Sequence, residues 1–229
     1  MSIYENVAKI RETIAASAKK SGRDPQDIKL IGVTKTIELP QIKELIAADV
    51  TDIGENRVQE FLPKYEALNT ENINWHFIGH LQRNKVKFIA DKVDLIHSVD
   101  SLPLAQEINR CAEKYGRIIN ILVEINIAEE FSKFGISSDE ILEFIKNLVK
   151  LPNIRFSGLM CIPPFVENAE KNRRFFENLR NLQLDIQGAC LYDTTRFELS
   201  MGMTGDYSVA IEEGATMVRI GTALFGVRI

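Results

Sequence analysis

The apolar and polar positions of the chain alternate between two periods. Ile3, Val7, Ile10 and Ile14 recur at helical spacing behind Ser2 and Glu5, which have capping-box separation, and Gly22 and Pro25 follow as a stop. A helix over roughly residues 3–21 is predicted. Ile28–Thr34 is then a short apolar run of the kind that forms a buried strand, and Pro40–Ala48 reads as a helix. The alternation continues with a strand at Asp52–Gly54, a helix at Arg57–Leu68, a strand at Asn74–Ile78, a helix at Arg83–Ala90 and a strand at Val93–Ser98. Ser101, with Pro103 just inside, opens a helix that Gly116 ends. Ile118–Asn126, continuously apolar and β-branched, is the clearest strand. Ser137 and Glu140 make a second capping box, predicting a helix to Lys150. The rest predicts strands at Ile154–Leu159, Phe197–Ser200 and Met217–Ile220, and helices at Glu167–Leu184 and Tyr207–Glu213.

Short apolar runs alternating with helices mean βαβ units and a parallel sheet. About eight such units, in a length near the roughly 250 residues typical of the fold, predict an α/β protein built as one (β/α)8 TIM barrel. An open doubly wound sheet is the alternative, but it calls for a Gly-rich first turn that the chain lacks. No linker or low-complexity stretch divides residues 1–229, so a single domain is expected.

Composition narrows the function classes. Among 229 residues, 28 Lys and Arg stand against 32 Asp and Glu, a formal net charge of −4 that argues against a nucleic-acid surface. The longest apolar runs fall far short of the roughly 20 residues that span a bilayer. The first residues carry Glu5 and no apolar signal core. Cys111, Cys161 and Cys190 are odd in number with no C-x-x-C pair, which fits reduced thiols in the cytoplasm.

In such a barrel, reactive residues sit at the C-terminal ends of strands. Lys35 directly follows the first strand. A strand-end lysine is ordinarily a solvated loop residue; a partly desolvated one is a nucleophile suited to Schiff-base chemistry. Arg219-Ile220-Gly221-Thr222 runs from the last strand into a short helix, where free N–H groups and a glycine suit an anion. Ser200-Met201-Gly202-Met203 brings a hydroxyl and flexible backbone to the same arc. An amine and a phosphate cradle on one rim suggest pyridoxal 5′-phosphate (PLP) or a phosphorylated sugar. His76 and His80 have the i, i+4 spacing of helical zinc ligands, but they lie in a strand and turn, where that spacing does not converge. His97 reads as a satisfied core or rim histidine. No P-loop, G-x-S-x-G or G-x-G-x-x-G occurs. The basic cluster Arg83, Lys85, Lys87 and Lys92 suggests no role.

Taken together, the segments VTKT (33–36), GENRVQE (54–60), WHFIGHLQRNK (75–85), SKFG (132–135), GLM (158–160), LSMGM (199–203) and MVRIGT (217–222) make the chain resemble the pyridoxal phosphate homeostasis proteins over essentially its whole length. The resemblance implies the barrel of the alanine-racemase N-terminal domain, fold-type III among PLP proteins. It implies that Lys35 holds PLP as a Schiff base and that Arg219 faces the pyridine nitrogen. Ser200, Gly221 and Thr222 would bind the phosphate end, with Asn56 and Met160 lining the cofactor and Met201 among the residues that bind it. It also implies a PLP carrier or regulator of vitamin B6 balance rather than an enzyme, with PLP-dependent apo-enzymes as candidate recipients.

Chemistry favours the same side. An arginine cannot accept a proton at physiological pH, so it leaves the pyridine nitrogen neutral and the electron sink weak. Racemases of this barrel class add a second domain that brings a tyrosine, whereas this chain ends at Ile229, and Tyr192 and Tyr207 have no evident positioning. A binder is expected, as a monomer. A low-activity amino-acid racemase and a PLP-free Schiff-base aldolase acting on a sugar phosphate remain the alternatives.

Overall fold

Eight parallel strands close into a barrel in strict sequence order, each hydrogen-bonded to the next and β8 returning to β1. The structure is a computed structural model and describes residues 2–68, 71–130, 134–189 and 196–226. The strands are β1 (Lys29–Val33), β2 (Asp52–Glu55), β3 (Asn74–Phe77), β4 (Leu95–Val99), β5 (Ile119–Ile125), β6 (Ile154–Cys161), β7 (Glu198–Met203) and β8 (Met217–Ile220). Around them run α1 (Ile3–Lys20), α2 (Leu39–Ala47), α3 (Val58–Leu68), α4 (Leu102–Lys114), α5 (Ile141–Leu148), α6 (Arg173–Gly188), α7 (Tyr207–Glu212) and α8 (Thr222–Phe225).

Helix α1 starts where its capping box predicts. Ser2 Oγ accepts from the Glu5 N–H at 3.2 Å, and the Glu5 carboxylate accepts from the Ser2 N–H at 2.8 Å. The helix buries Ile3, Val7, Ile10 and Ile14 against α2, α7 and α8. Three expectations are corrected. The second capping box does not form, because the Ser137 hydroxyl donates to the Glu140 side chain at 2.8 Å, and α5 begins only at Ile141. The predicted Glu167–Leu184 helix is a 3-10 turn (Ala169–Asn172) followed by α6. Asn172 is drawn inward there, its amide donating to Pro164 O and to Asp206 Oδ2. Arg83–Phe88 is a 3-10 helix rather than an α-helix. Ser132, Lys133, Cys190 and Tyr192 lie outside the described residues.

Strand alternation sorts the core into two shells. Ile31, Leu95, Leu122, Met160 and Met217 meet inside the barrel. Ile53, Phe77, Ile96, Val123, Leu159, Met201 and Val218 point the other way, into the larger layer under the helices. Full burial of one such side chain is worth about 1.5–3 kcal/mol, so both shells hold the barrel closed. Among the described residues, no helix is long and apolar enough to cross a membrane.

Candidate functional site

The same alternation carries the inward side of the barrel toward its C-terminal mouth. Lys29, Ile31 and Val33 share one parity on β1, and Lys35 continues it just past the strand. Thr34 has the opposite parity, and its hydroxyl donates to Glu55 Oε1 at 2.6 Å on the helix side. That carboxylate also accepts from Lys64 Nζ of α3 at 2.6 Å, while Lys64 reaches Thr34 O at 2.7 Å. Burial pushes the Glu55 carboxyl up, opposed by the Lys64 and Thr34 hydrogen bonds. This anchor fixes the end of β1 against β2 and α3. Lys35 itself is exposed, and among the described residues its ammonium forms no ion pair.

Asn56 stands beside Lys35, at the end of the neighbouring strand. Its Oδ1 is buried without a hydrogen-bond partner among the described residues. Gly79 makes this position possible, since a Cβ there would sit 2.3 Å from the Asn56 carbonyl oxygen. On the other side of β1, in register with Ile31, lies Arg219. Its guanidinium is buried and donates to Ser200 O at 2.7 Å, Ser200 Oγ at 2.6 Å and Cys161 O at 2.9 Å. Burial lowers its pKa, and Cys161, Glu124 and Asp206 oppose the shift. Burial pushes the adjacent Cys161 thiol up to about 12.

Other expected residues divide. Met160 is buried within the inner shell, one layer below the mouth. The Met201 side chain packs in the outer shell, so only its backbone can face the site. Ser200 is wholly buried, and its hydroxyl meets Arg219 and His97 rather than the start of α8. Gly221 and Thr222 do form the start of α8, and Thr222 is exposed. The hydroxyl that joins them is that of Thr204, whose Oγ1 accepts from the Ala223 N–H at 3.3 Å. Sequence reasoning missed Thr204, although it directly follows the segment, Ser200 to Met203, that was singled out.

It also missed Glu124. This residue of β5 lies on the inward side in register with Met160, only 8% exposed. Burial pushes its carboxyl up to about 7, helped by Asp100 and opposed by Arg219. Asp100 in turn pairs with His80 Nδ1 at 3.3 Å, and the His80 ring stacks on Phe134 at 3.8 Å between centroids. His76 points elsewhere, its Nε2 lying 2.8 Å from Asp52 Oδ1, so the two histidines do not converge. The arrangement offers an accessible amine, a fixed guanidinium, a carboxylic acid near neutrality and a hydroxyl-lined helix start, all on one face.

Residues 3–229 match the family model described as alanine racemase, N-terminal domain. A relative from Aquifex aeolicus, named pyridoxal phosphate homeostasis protein, is 44% identical over 228 residues, covering 100% of this chain and 99% of that one. The crystal structure of an unknown protein from Bifidobacterium adolescentis superposes with a TM-score of 0.92 at 37% identity, over 97% of this chain and 94% of that one. PipY of Synechococcus elongatus, solved with PLP bound, superposes with a TM-score of 0.85 at 32% identity, over 98% of this chain and 100% of that one. Full-length matches at this identity, on a closed eight-stranded barrel, establish that the chain belongs to the pyridoxal phosphate homeostasis protein family.

Proposed function

We propose that the chain binds PLP at the C-terminal mouth of its barrel through the Lys35 amine and serves intracellular PLP homeostasis as a carrier rather than as a strong catalyst. The observation that carries the reading is a pairing on neighbouring strands. An exposed amine without an ion-pair partner among the described residues lies just past β1, and a buried guanidinium fixed by three hydrogen bonds sits on β8. The site's own residues fit the cofactor. Among the described residues, Asn56 Oδ1 is a buried acceptor without a donor. Thr204, Gly221 and Thr222 offer two hydroxyls and free backbone donors to a dianion. The relatives' name and the PLP bound in PipY support the same group.

When bound, PLP supplies an aldehyde carbon open to amines and a ring that withdraws electrons. Lys35 would hold that carbon. Arg219 has five N–H donors, three of them spent on Ser200 and Cys161, and no acceptor, so it would donate to a bare ring nitrogen and could not accept from a protonated one. This weakens the electron sink and favours holding and releasing PLP over turnover. The reading carries with it a monomeric, cytoplasmic protein that supplies PLP-dependent apo-enzymes. A weak amino-acid racemase is the second reading, favoured by Glu124, a carboxyl near neutrality inside the mouth.

The test is spectroscopic and kinetic. The purified full-length protein is expected to absorb as a PLP protein, and borohydride is expected to fix one adduct, on Lys35. Racemisation of alanine or serine is expected far below the roughly 1–10³ s⁻¹ of ordinary enzymes. A protein that stays colourless with added PLP overturns the cofactor. Turnover in the enzyme range, lost in Lys35→Ala, promotes the racemase.

A further inference from the structure

A line of polar side chains crosses the barrel core behind Arg219. Ser200 Oγ lies 2.9 Å from His97 Nδ1, His97 Nε2 lies 2.9 Å from His76 Nδ1, and His76 Nε2 lies 2.8 Å from Asp52 Oδ1. Ser200 and His97 are wholly buried and His76 is 2% exposed. The carboxylate end also pairs with Lys29 at 3.3 Å. It lies toward the N-terminal end of the barrel, where a cleft of about 670 Å³ is lined by Lys29, Asn74, His76 and Asp94.

The direction of every bond in this line follows from counting hydrogens. Arg219 Nη1 can only donate, so Ser200 Oγ accepts there. The single Ser200 hydroxyl hydrogen then needs an acceptor, and among the described residues the one within reach is His97 Nδ1. His97 must therefore carry its proton on Nε2 and donate it to His76 Nδ1. His76 keeps its own proton on Nε2 and donates it to Asp52. The electrostatics agree. His97 is held well below the usual histidine range by burial, then by His76 (β3), Arg219 (β8) and Lys29 (β1). Burial pushes Asp52 (β2) up, but the His76 hydrogen bond and Lys29 outweigh it, so the far end remains a carboxylate. The dipoles all run one way, from a cation to an anion, and polarise one another.

We propose that His97 is a positioning residue for Arg219: the one-way chain Asp52–His76–His97–Ser200 draws the Ser200 hydrogen inward, so that its lone pair faces the guanidinium and fixes the plane of Arg219. The effect on bound PLP rests on the function proposed above, whereas the chain itself does not. Reversing any one bond would turn the Ser200 hydrogen toward a group that can only donate.

The test uses the full-length protein, with and without PLP, and histidine ¹⁵N NMR. Nδ1 of both His76 and His97 is expected to be unprotonated, and the His97 ring is expected not to titrate between about pH 5 and 8. His97→Gln preserves an acceptor toward Ser200 and a donor toward His76. It is expected to hold PLP within about 2-fold of the parent, with an unchanged absorbance–pH profile. His97→Phe preserves neither, and is expected to lose about 10-fold in affinity and to shift that profile. A proton on His97 Nδ1 overturns the proposal, as does a folded His97→Phe protein with the parent's affinity and profile. If PLP binds none of the proteins, the cofactor reading fails, and the NMR still decides the chain.

Discussion

Lys64 Nζ and Glu55 Oε1 lie 2.6 Å apart beneath the end of β1, in a pair with side-chain exposures of 11% and 0%. The pair is the reason that one lysine of the region is committed and the other accessible. Lys64 is spent on Glu55 and on the Thr34 carbonyl, which is the backbone immediately before Lys35.

Removing one partner leaves a buried charge uncompensated, which typically costs about 3–5 kcal/mol. Lys64→Met alone is therefore expected to lower stability strongly, and Lys64→Met with Glu55→Gln to recover much of the loss. Chemical unfolding of the parent and the two variants measures this. A double variant no better than the single one would show that the pair acts through packing, not charge. In the same molecule, borohydride labelling is expected at Lys35 and not at Lys64.

The two ends of the site separate by ligand. Thr204 accepts from a backbone N–H and keeps its hydrogen for an anion, and Thr222 stands exposed at the start of α8. Thr204→Val and Thr222→Val are each expected to cost about 10–100-fold in affinity for PLP, the worth of one hydrogen bond to a charged group. Affinity for pyridoxal, which has no phosphate, is expected to change little. Ser200→Ala should weaken both ligands alike, because Ser200 touches Arg219 and His97. Titration of the apoproteins with both ligands decides this, and equal losses for PLP and pyridoxal in the threonine variants would remove the phosphate from α8.

Gly79 tests whether the Asn56 position matters. A Cβ at 79 falls 2.3 Å from Asn56 O and 2.7 Å from Asn56 Cα, both backbone atoms that cannot swing aside. Gly79→Ala is expected to cost about 1–3 kcal/mol and to weaken PLP binding. Gly188, at the end of α6, faces open space, with nothing within 4 Å of where a methyl group would stand. Gly188→Ala is expected to be neutral or stabilising by up to about 1 kcal/mol. Unfolding midpoints of the two variants, measured side by side, check the contrast.

The barrel was legible because its strands are short apolar runs and its helices carry separate periodicity. Even the brief strand at Asp52–Gly54 was visible between stronger neighbours, although it runs on to Glu55. Helix starts were less legible where a side chain had a competing partner. Ser2 caps α1, yet Ser137 with identical spacing spends its hydroxyl on a carboxylate. Of the candidate site, Lys35, Arg219, Gly221 and Thr222 were legible because they lie at or just past the C-terminal ends of β1 and β8. Thr204 and Glu124 were not. Thr204 lies just beyond β7, and only the closing of β7 against β8 brings it to the start of α8. Glu124 sits inside an apolar run, where a single acid looks like a solvated edge until the closed barrel turns it inward. The His76–His97 line needed three-dimensional register, since its members come from β2, β3, β4 and β7.

Glu124 gives the site a pH signature. Its carboxyl stands at about 7 in the folded chain against an ordinary 4.5, chiefly because burial disfavours the ion, with Asp100 adding to it and Arg219 opposing. A raised folded-state value means that the native chain binds the proton more tightly than the unfolded one. The associated stability is fully present below about pH 4.5 and is lost as pH rises through about 7. Glu124→Gln keeps the shape without the charge. It is therefore expected to match the parent near pH 5 and to exceed it near pH 8 by up to about 3 kcal/mol, the worth of the shift at about 1.4 kcal/mol per unit. Asp100 and Arg219 are the charged groups that set the size of the gap, so Asp100→Asn should narrow it from the parent side. Urea unfolding of parent and variants at the two pH values is the measurement. A difference that does not change between pH 5 and 8 would mean that Arg219 keeps the carboxylate ionised throughout, and that the mouth of the barrel carries a fixed charge rather than a proton.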